Sequence, residues 1–230
     1  GLEYAGAFSG LGVKTTVVEA SGRWLPAADA EAVRMLTASM KQAGIHLAGG
    51  TQVQSVAKGA DGVIALCRAQ DGQSLELSAE KLLVAVGRVP DMETLGLEKA
   101  GVAFNQRGII TDRTLRTSAR HIYACGDIAG PYLLATTAES QAIIAATNAV
   151  LPLKRRVDER NNIFVVFTDP PLAWIGLSEA QARERLGAKL KVYRFPYAGM
   201  RRALVDGNET GIAKILHDSR GRIVGAHLLG

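Results

Sequence analysis

The constraint that most narrows the folds open to this chain is its opening, "GLEYAGAFSGLGVKTTVVEA". Leu2, Ala5, Phe8 and Leu11 recur at helical spacing, and Gly12 follows as a stop. The run "KTTVVEA" is β-branched and too short for a helix, so it reads as a strand. Asp29 can cap a second helix through Ala43, with Val33, Leu36 and Met40 on its apolar side and Gly44 at its end. "IHLAGG" then reads as another short strand. Strand, helix and strand in that order require a crossover, and so point to a parallel sheet.

The rhythm changes at residue 51. "TQVQSVAK", "GVIALCRAQ" and "QSLELSA" alternate apolar with polar between "GADG" and "QDGQ", which predicts an antiparallel meander over residues 51–79. "KLLVAVG" is almost wholly apolar and is expected to rejoin the buried parallel sheet. Residues 88–108 carry Pro90, Gly96, Gly101 and Gly108 and read as a crossover between domains. "HIYACGDIAG" is expected to be a buried strand ending on Gly-Asp, ahead of a helix over residues 135–150. "LPLKRRVDERNN" reads as a charged linker, and "IFVVFTDP" as a strand that restarts the fold. Ser178 and Gln181 have capping-box spacing for a helix ending at Gly187, and "GIAKILHDSRGRIVGAHLL" reads as a hairpin about "DSRG". The fold class is therefore α/β: a parallel-sheet domain with an antiparallel meander, a second domain after the crossover, and an α+β domain after the charged linker. The expected boundaries are 1–87, 88–152 and 153–230.

Composition excludes several classes of function. The 27 Lys and Arg against 22 Asp and Glu give a formal charge of +5, but the basic residues are scattered and interleaved with acids, which argues against nucleic acid as a partner. No apolar run approaches the ~20 residues that span a bilayer, so no membrane partner is expected. Two cysteines, Cys67 and Cys125, make neither a disulfide framework nor a zinc site, and no metal is expected. With no charged and apolar leader in view, a reducing, cytoplasmic setting is the expectation. Both cysteines read as small apolar residues in strands.

Two stretches carry chemistry. Gly1 fits the last glycine of a G-x-G-x-x-G turn, and Glu19 closes the next strand eighteen positions later. That spacing suits the acid that binds a ribose 2′-hydroxyl in dinucleotide sites. A carboxylate there repels a 2′-phosphate and favours NAD over NADP, although Arg23 lies close by; the alternative is a solvated glutamate at a strand end. In "YACGDIAG", Asp127 beside Gly126 can accept hydrogen bonds from a sugar or polyol hydroxyl, or it can serve only as a turn or helix cap. Of the four histidines, none has a carboxylate at suitable spacing, and each reads as structural or exposed.

Four ordered motifs resemble the pyridine nucleotide-disulfide oxidoreductases, flavoproteins that include dihydrolipoamide dehydrogenase, glutathione reductase and mercuric reductase. "GLEYAGAFSGLGVKTTVVE" is similar to the family's NAD motif and "VAVGRVPDMETLGLEKAGV" to its crossover back to the flavin domain. "TSARHIYACGDIAG" resembles the second flavin motif and "FTDPPLAWIGLSEAQA" the start of the dimerisation domain. The resemblance implies FAD and NAD as cofactors. It assigns Gly1 to the dinucleotide turn, Glu19 to the NAD ribose, Glu3 to the neighbourhood of the nicotinamide carboxamide and Gly87 to the edge of that pocket. Gly126 and Asp127 would hold the ribityl chain of the flavin, and the helix starting at Leu134 and Ala135 would aim its N–H groups at the flavin carbonyl beside N1. Thr136 stands where many relatives carry histidine.

The resemblance further implies that the flavin-binding half, with its redox cysteine pair, precedes Gly1, and that a His-Glu pair follows Gly230; no residue of this chain is assigned a catalytic role. The implied activity is electron transfer between NAD(H), FAD and a disulfide or dithiol substrate in a homodimer, dihydrolipoamide dehydrogenase-like first. A mercuric or glutathione reductase-like enzyme, or a dinucleotide-binding module without redox chemistry, stands as the alternative.

Overall fold

The computed structural model describes residues 1–158, 160 and 162–230. They form two compact units, one of Gly1–Ala85 with Val165–Gly230 and one of Val86–Phe164.

In the first unit, helix α1 (Leu2–Gly10) leads into strand β1 (Thr16–Glu19), helix α2 (Ala30–Gln42) and strand β2 (His46–Gly49). β1 and β2 pair in parallel from Thr16↔His46 to Glu19↔Gly49. α2 turns Ala32, Val33, Leu36 and Met40 inward, the stripe that its spacing predicts, and Asp29 caps it. Only Leu2 and Ala5 of the α1 stripe are buried, while Phe8 and Leu11 face outward. The meander follows as β3 (Thr51–Lys58), β4 (Val63–Ala69) and β5 (Ser74–Ala79), antiparallel throughout. Cys67 and Ala65 alternate inward from β4, which buries the thiol.

The strand expected over residues 81–87 does not form. Leu82, Leu83, Val84 and Val86 are exposed, Val86 almost fully at 93%. A continuous apolar run becomes a strand only when neighbours take its N–H and C=O groups and layers cover both faces. Among the described residues no ladder includes this segment.

The unit is completed by a five-stranded sheet in the order β10-β11-β12-β9-β8. Its strands are β8 (Ile163–Val166), β9 (Leu172–Gly176), β10 (Lys191–Pro196), β11 (Ile212–His217) and β12 (Ile223–Leu229). The β11–β12 hairpin turns at Asp218, whose carboxylate accepts from the backbone N–H groups of Arg220 and Arg222. Helix α4 (Glu179–Leu186) starts on a complete capping box of Ser178 and Gln181 and ends at Gly187. Ala182 of α4 packs with Leu190 and Leu216 in a buried cluster. A short helix, α5 (Arg201–Asp206), connects β10 to β11.

In the second unit, Leu97, Val102, Ile109 and Ala124 form the core, beside the small hairpin of β6 (Phe104–Asn105) and β7 (Gly108–Ile109). Residues 121–125 are not the buried strand that their composition predicts. Thr117 donates to Ile122 and Ala124 to Leu115, so the segment folds back on its own turn with a single bridge at Arg116↔Tyr123. Its apolar side chains find the Leu97 cluster without a sheet, and Gly126–Ala129 is a 3-10 turn. Helix α3 covers Ala135–Val150, the predicted span. The charged linker after it is anchored by Asn148, whose side-chain amide donates to Thr114 and Arg155 carbonyls and accepts from Arg155 N–H. Residues 159 and 161 of that linker lie outside the described residues.

Candidate functional site

Parallel pairing brings the C-terminal ends of β1 and β2 to one edge, the edge where open α/β sheets bind ligands. Glu19 ends β1 opposite Gly49, half-buried, and its Oε1 accepts from the Ser21 N–H at 2.9 Å. That bond holds the carboxylate at the strand terminus. Ser21 in turn accepts from Gly50 N–H at 3.1 Å, and Gly50 accepts from Gln70 N–H at 2.9 Å, which stitches the loop after β1 to the meander. Gly50 has φ +67, and a Cβ there would lie 3.0 Å from the Gln70 side chain. The Trp24 indole covers Gly49, where a Cβ would fall 3.1 Å from Nε1. The edge is therefore built from small residues under two larger side chains, with one carboxylate facing it.

Gly1 and Glu3 lie at the start of α1. Gly1 is its N-cap, and a methyl group there would reach Ala85 at 3.8 Å, an ordinary contact. The exposed Glu3 accepts from Phe167 N–H at 2.7 Å, a partner that the sequence does not suggest.

The other candidates belong to the second unit. Gly126 sits at φ +75 and donates its N–H to Gln141 Oε1 at 2.8 Å in a buried bond from α3. The positive φ favours glycine there, and a Cβ at Gly126 would come within a tight 3.2 Å of Ala138. Asp127 follows, half-buried, and pairs with Arg88 at 2.9 Å. Arg88 is 71% exposed, so the pair adds at most about 1 kcal/mol. Gly87, just before Arg88, is exposed at φ +139. Leu134 is the N-cap of α3 and supplies no side-chain cap, with Ala135 as the first helical residue. Thr137 in the same turn is buried, and its Oγ1 has no hydrogen-bond partner among the described residues. An uncapped helix N-terminus beside an unpartnered buried hydroxyl suits a group that brings acceptors and negative charge.

One cluster escapes sequence reasoning. Lys214, 2% exposed, reaches Asp29 at 2.7 Å, Glu31 at 2.9 Å and Glu179 at 2.6 Å. Arg194 also pairs with Glu31 and Glu179, and Arg183 with Glu179. Asp29 serves two helices: Oδ1 accepts from Glu31 N–H of α2, and Oδ2 accepts from Glu179 N–H of α4. Burial alone would raise the three carboxyl pKa values. The Lys214 ammonium outweighs it, helped by Arg194 at Glu31 and by Arg183 and Arg194 at Glu179, so all three lie below the ordinary carboxylate range. Lys214 and Asp29 are 185 positions apart, and no local pattern links them.

Among the described residues no group of His, Cys, Asp or Glu is placed to hold a metal, and no helix is long and apolar enough to cross a membrane. Comparison with known proteins supplies the rest. The family model described as pyridine nucleotide-disulphide oxidoreductase matches residues 1–142, and the model of that family's dimerisation domain matches residues 164–230. A dihydrolipoyl dehydrogenase of Rhizobium etli is 32% identical over all of this chain and 48% of its own length. One from Thermus scotoductus is 37% identical over 95% of this chain and 47% of its own. Among solved structures, the HOCl-induced flavoprotein disulfide reductase RclA from Escherichia coli superposes with a TM-score of 0.88 at 30% identity, over 99% of this chain and 52% of that one. LpdA from Mycobacterium tuberculosis matches with a TM-score of 0.88 at 29% identity, over 100% and 49%. The chain spans about half the length of the curated relatives it matches. Four ordered sequence motifs, a mixed α/β architecture with a five-stranded sheet at its end, and two family models in register with both place this chain in the pyridine nucleotide-disulphide oxidoreductase family.

Proposed function

We propose that this chain supplies the nucleotide edge, part of the flavin site and the association domain of a homodimeric enzyme that passes electrons between NAD(H), FAD and a disulfide or dithiol. The dihydrolipoyl dehydrogenase kind is the substrate class favoured, since the curated relatives bear that name. The observation that carries the reading is Glu19, held by Ser21 N–H at the C-terminal edge of a parallel pair, inside the segment matched by the family model. In this reading Glu19 accepts hydrogen bonds from the adenosine ribose hydroxyls and repels a 2′-phosphate, selecting NAD over NADP. Gly1 and Glu3 open the helix beside that edge.

FAD, when bound, supplies the two-electron chemistry that joins a nicotinamide hydride to thiol exchange. The chain's own residues fit it: Asp127 can exchange its exposed Arg88 partner for a ribityl hydroxyl, while Gly126 keeps the backbone close to α3. The α3 terminus at Leu134 and Ala135 then offers N–H groups and the positive end of its dipole to negative charge on a reduced flavin. Gly87 borders the nicotinamide pocket. The domain division that goes with this reading is 1–87 for NAD, 88–152 for FAD and 153–230 for association, in a cytoplasmic protein.

The intact protein is expected to show bound-flavin absorption and to couple NADH to a dithiol or disulfide, with little use of NADPH. Glu19→Ala removes a charge-assisted hydrogen bond of ~1.5–3 kcal/mol, so the NADH KM should rise by about tenfold or more. Equal use of NADPH and NADH by the unmodified protein would remove Glu19 from the role, and a colourless, flavin-free protein would favour the non-catalytic module.

A further inference from the structure

We propose that Lys214 is a positioning residue for the nucleotide edge: it pins the far end of the loop that carries Glu19. This rests on the reading of Glu19 as the ribose acid. The loop, residues 20–28, contains neither helix nor strand and links Glu19 to Asp29. At its start, Ser21 N–H holds Glu19 and Ser21 C=O accepts from Gly50. At its end, Asp29 is fixed by three donors at once, Lys214 Nζ at 2.7 Å, Glu31 N–H at 3.0 Å and Glu179 N–H at 3.1 Å.

Between these anchors the backbone is strained. Leu25 has φ +42, a left-handed conformation that costs a non-glycine residue and persists only where its surroundings over-determine it. Its carbonyl accepts from Ala28 N–H, and Trp24 beside it is packed over Gly49. A loop bent in this way stores a tendency to relax, so its shape depends on how firmly both ends are held.

The end at Asp29 is held electrostatically. Lys214 is the buried cation facing Asp29, Glu31 and Glu179, while Arg194 and Arg183 are 41% and 61% exposed at the rim. Without the ammonium, three carboxylates face one another at low local dielectric, and like charges that close repel. Arg194 still joins Glu31 to Glu179, but Asp29 at the end of the loop loses the cation it pairs with, and repulsion from those two carboxylates displaces it and the start of α2. The loop follows it, Leu25 relaxes, and Glu19 leaves its place opposite Gly49, although Lys214 touches neither Glu19 nor its Ser21 partner. Sheet strand β11, which carries Lys214, thereby governs the affinity of an edge built from β1 and β2.

The test uses the intact protein and Lys214→Met, assayed well below its melting temperature. NADH KM should rise about tenfold while kcat and the KM for the dithiol or disulfide stay within about twofold. A role confined to global stability would instead lower the melting temperature and the active fraction, with NADH KM unchanged, and that result overturns the proposal. Asp29→Asn keeps one acceptor oxygen at the end of the loop but removes the charge that Lys214 grips; it should raise NADH KM about threefold even if Lys214→Met fails to fold, and an unchanged KM overturns the proposal. In the double variant with Glu19→Ala, the two effects should be strongly non-additive, because Lys214 acts through Glu19. A large effect of Glu19→Ala with none from Lys214→Met or Asp29→Asn defeats the positioning role alone. No effect of Glu19→Ala defeats the ribose reading on which the proposal stands.

Discussion

His227 occupies a row of directly paired residues, Arg194, Lys214, His227 and Trp174, that crosses four strands of the terminal sheet on one face. It is fully buried. Its Nε2–H donates to Leu177 C=O at 3.0 Å, and Nδ1 has no partner among the described residues. Burial holds its pKa below the ordinary histidine value and the Lys214 charge adds to that, against the opposing pull of the Leu177 carbonyl and Asp29. The native ring is therefore neutral where the unfolded one begins to bind a proton. A depressed pKa contributes stability above the unfolded value, near 6.5, that is lost as pH falls toward the folded value. The depressed carboxyls of Asp29, Glu31 and Glu179 add a second loss below about pH 4, and the raised Lys214 a third only above its unfolded value near 10.5. The melting temperature should fall between pH 7 and pH 5, and fall less in His227→Gln, which can still donate to Leu177. Calorimetry at several pH values checks this; parallel pH profiles for the two proteins would remove His227 as the source.

At the scale of elements, what was legible in the sequence is what local chemistry decides. Helix α3 has its predicted span, α2 its predicted cap and stripe, and the meander and the hairpin at Asp218 follow from alternation and turn residues. Residues 81–87 and 121–125 show the limit, because an apolar run is a strand only by virtue of its neighbours, and these two segments lack a ladder here. The candidate site divides in the same way. Glu19 was legible from spacing to Gly1 and from its strand end, whereas the Lys214 cluster joins residues 150 and 185 positions apart through folding alone. The Arg88 partner of Asp127 was equally invisible, since nothing local pairs positions 88 and 127. The capping box of α4 allows a clean measurement at this scale. Ser178 accepts from Gln181 N–H while Gln181 Oε1 accepts from Ser178 N–H. Ser178→Ala should cost about 1 kcal/mol in urea denaturation, with an unchanged slope. A loss under a few tenths would mean that the Asp29 carboxylate on Glu179 N–H already caps α4 sufficiently.

For the whole molecule, the decisive feature is apolar surface without cover. Leu82, Leu83, Val84, Val86 and Val89 lie in one stretch of chain, all at 47% exposure or more, and Val86 and Val89 are close to fully exposed. Phe167, Tyr193, Phe195, Leu204 and Val205 add a second set within the first unit. Among the described residues the parallel sheet has two strands, although parallel pairing is ordinarily buried on both sides. Exposed apolar runs beside open strand edges are templates for association. Residues 1–230 produced by themselves should therefore self-associate at micromolar concentration, with a light-scattering mass above the 24.3 kDa monomer. Charged substitutions separate the two surfaces. Val84→Lys with Val86→Lys should lower the mass if the unladdered run drives association, and Val205→Lys should lower it if the terminal domain does. A monodisperse 24.3 kDa species from the unmodified chain would mean that these residues are covered in solution, and that the 81–87 run finds strand partners after all.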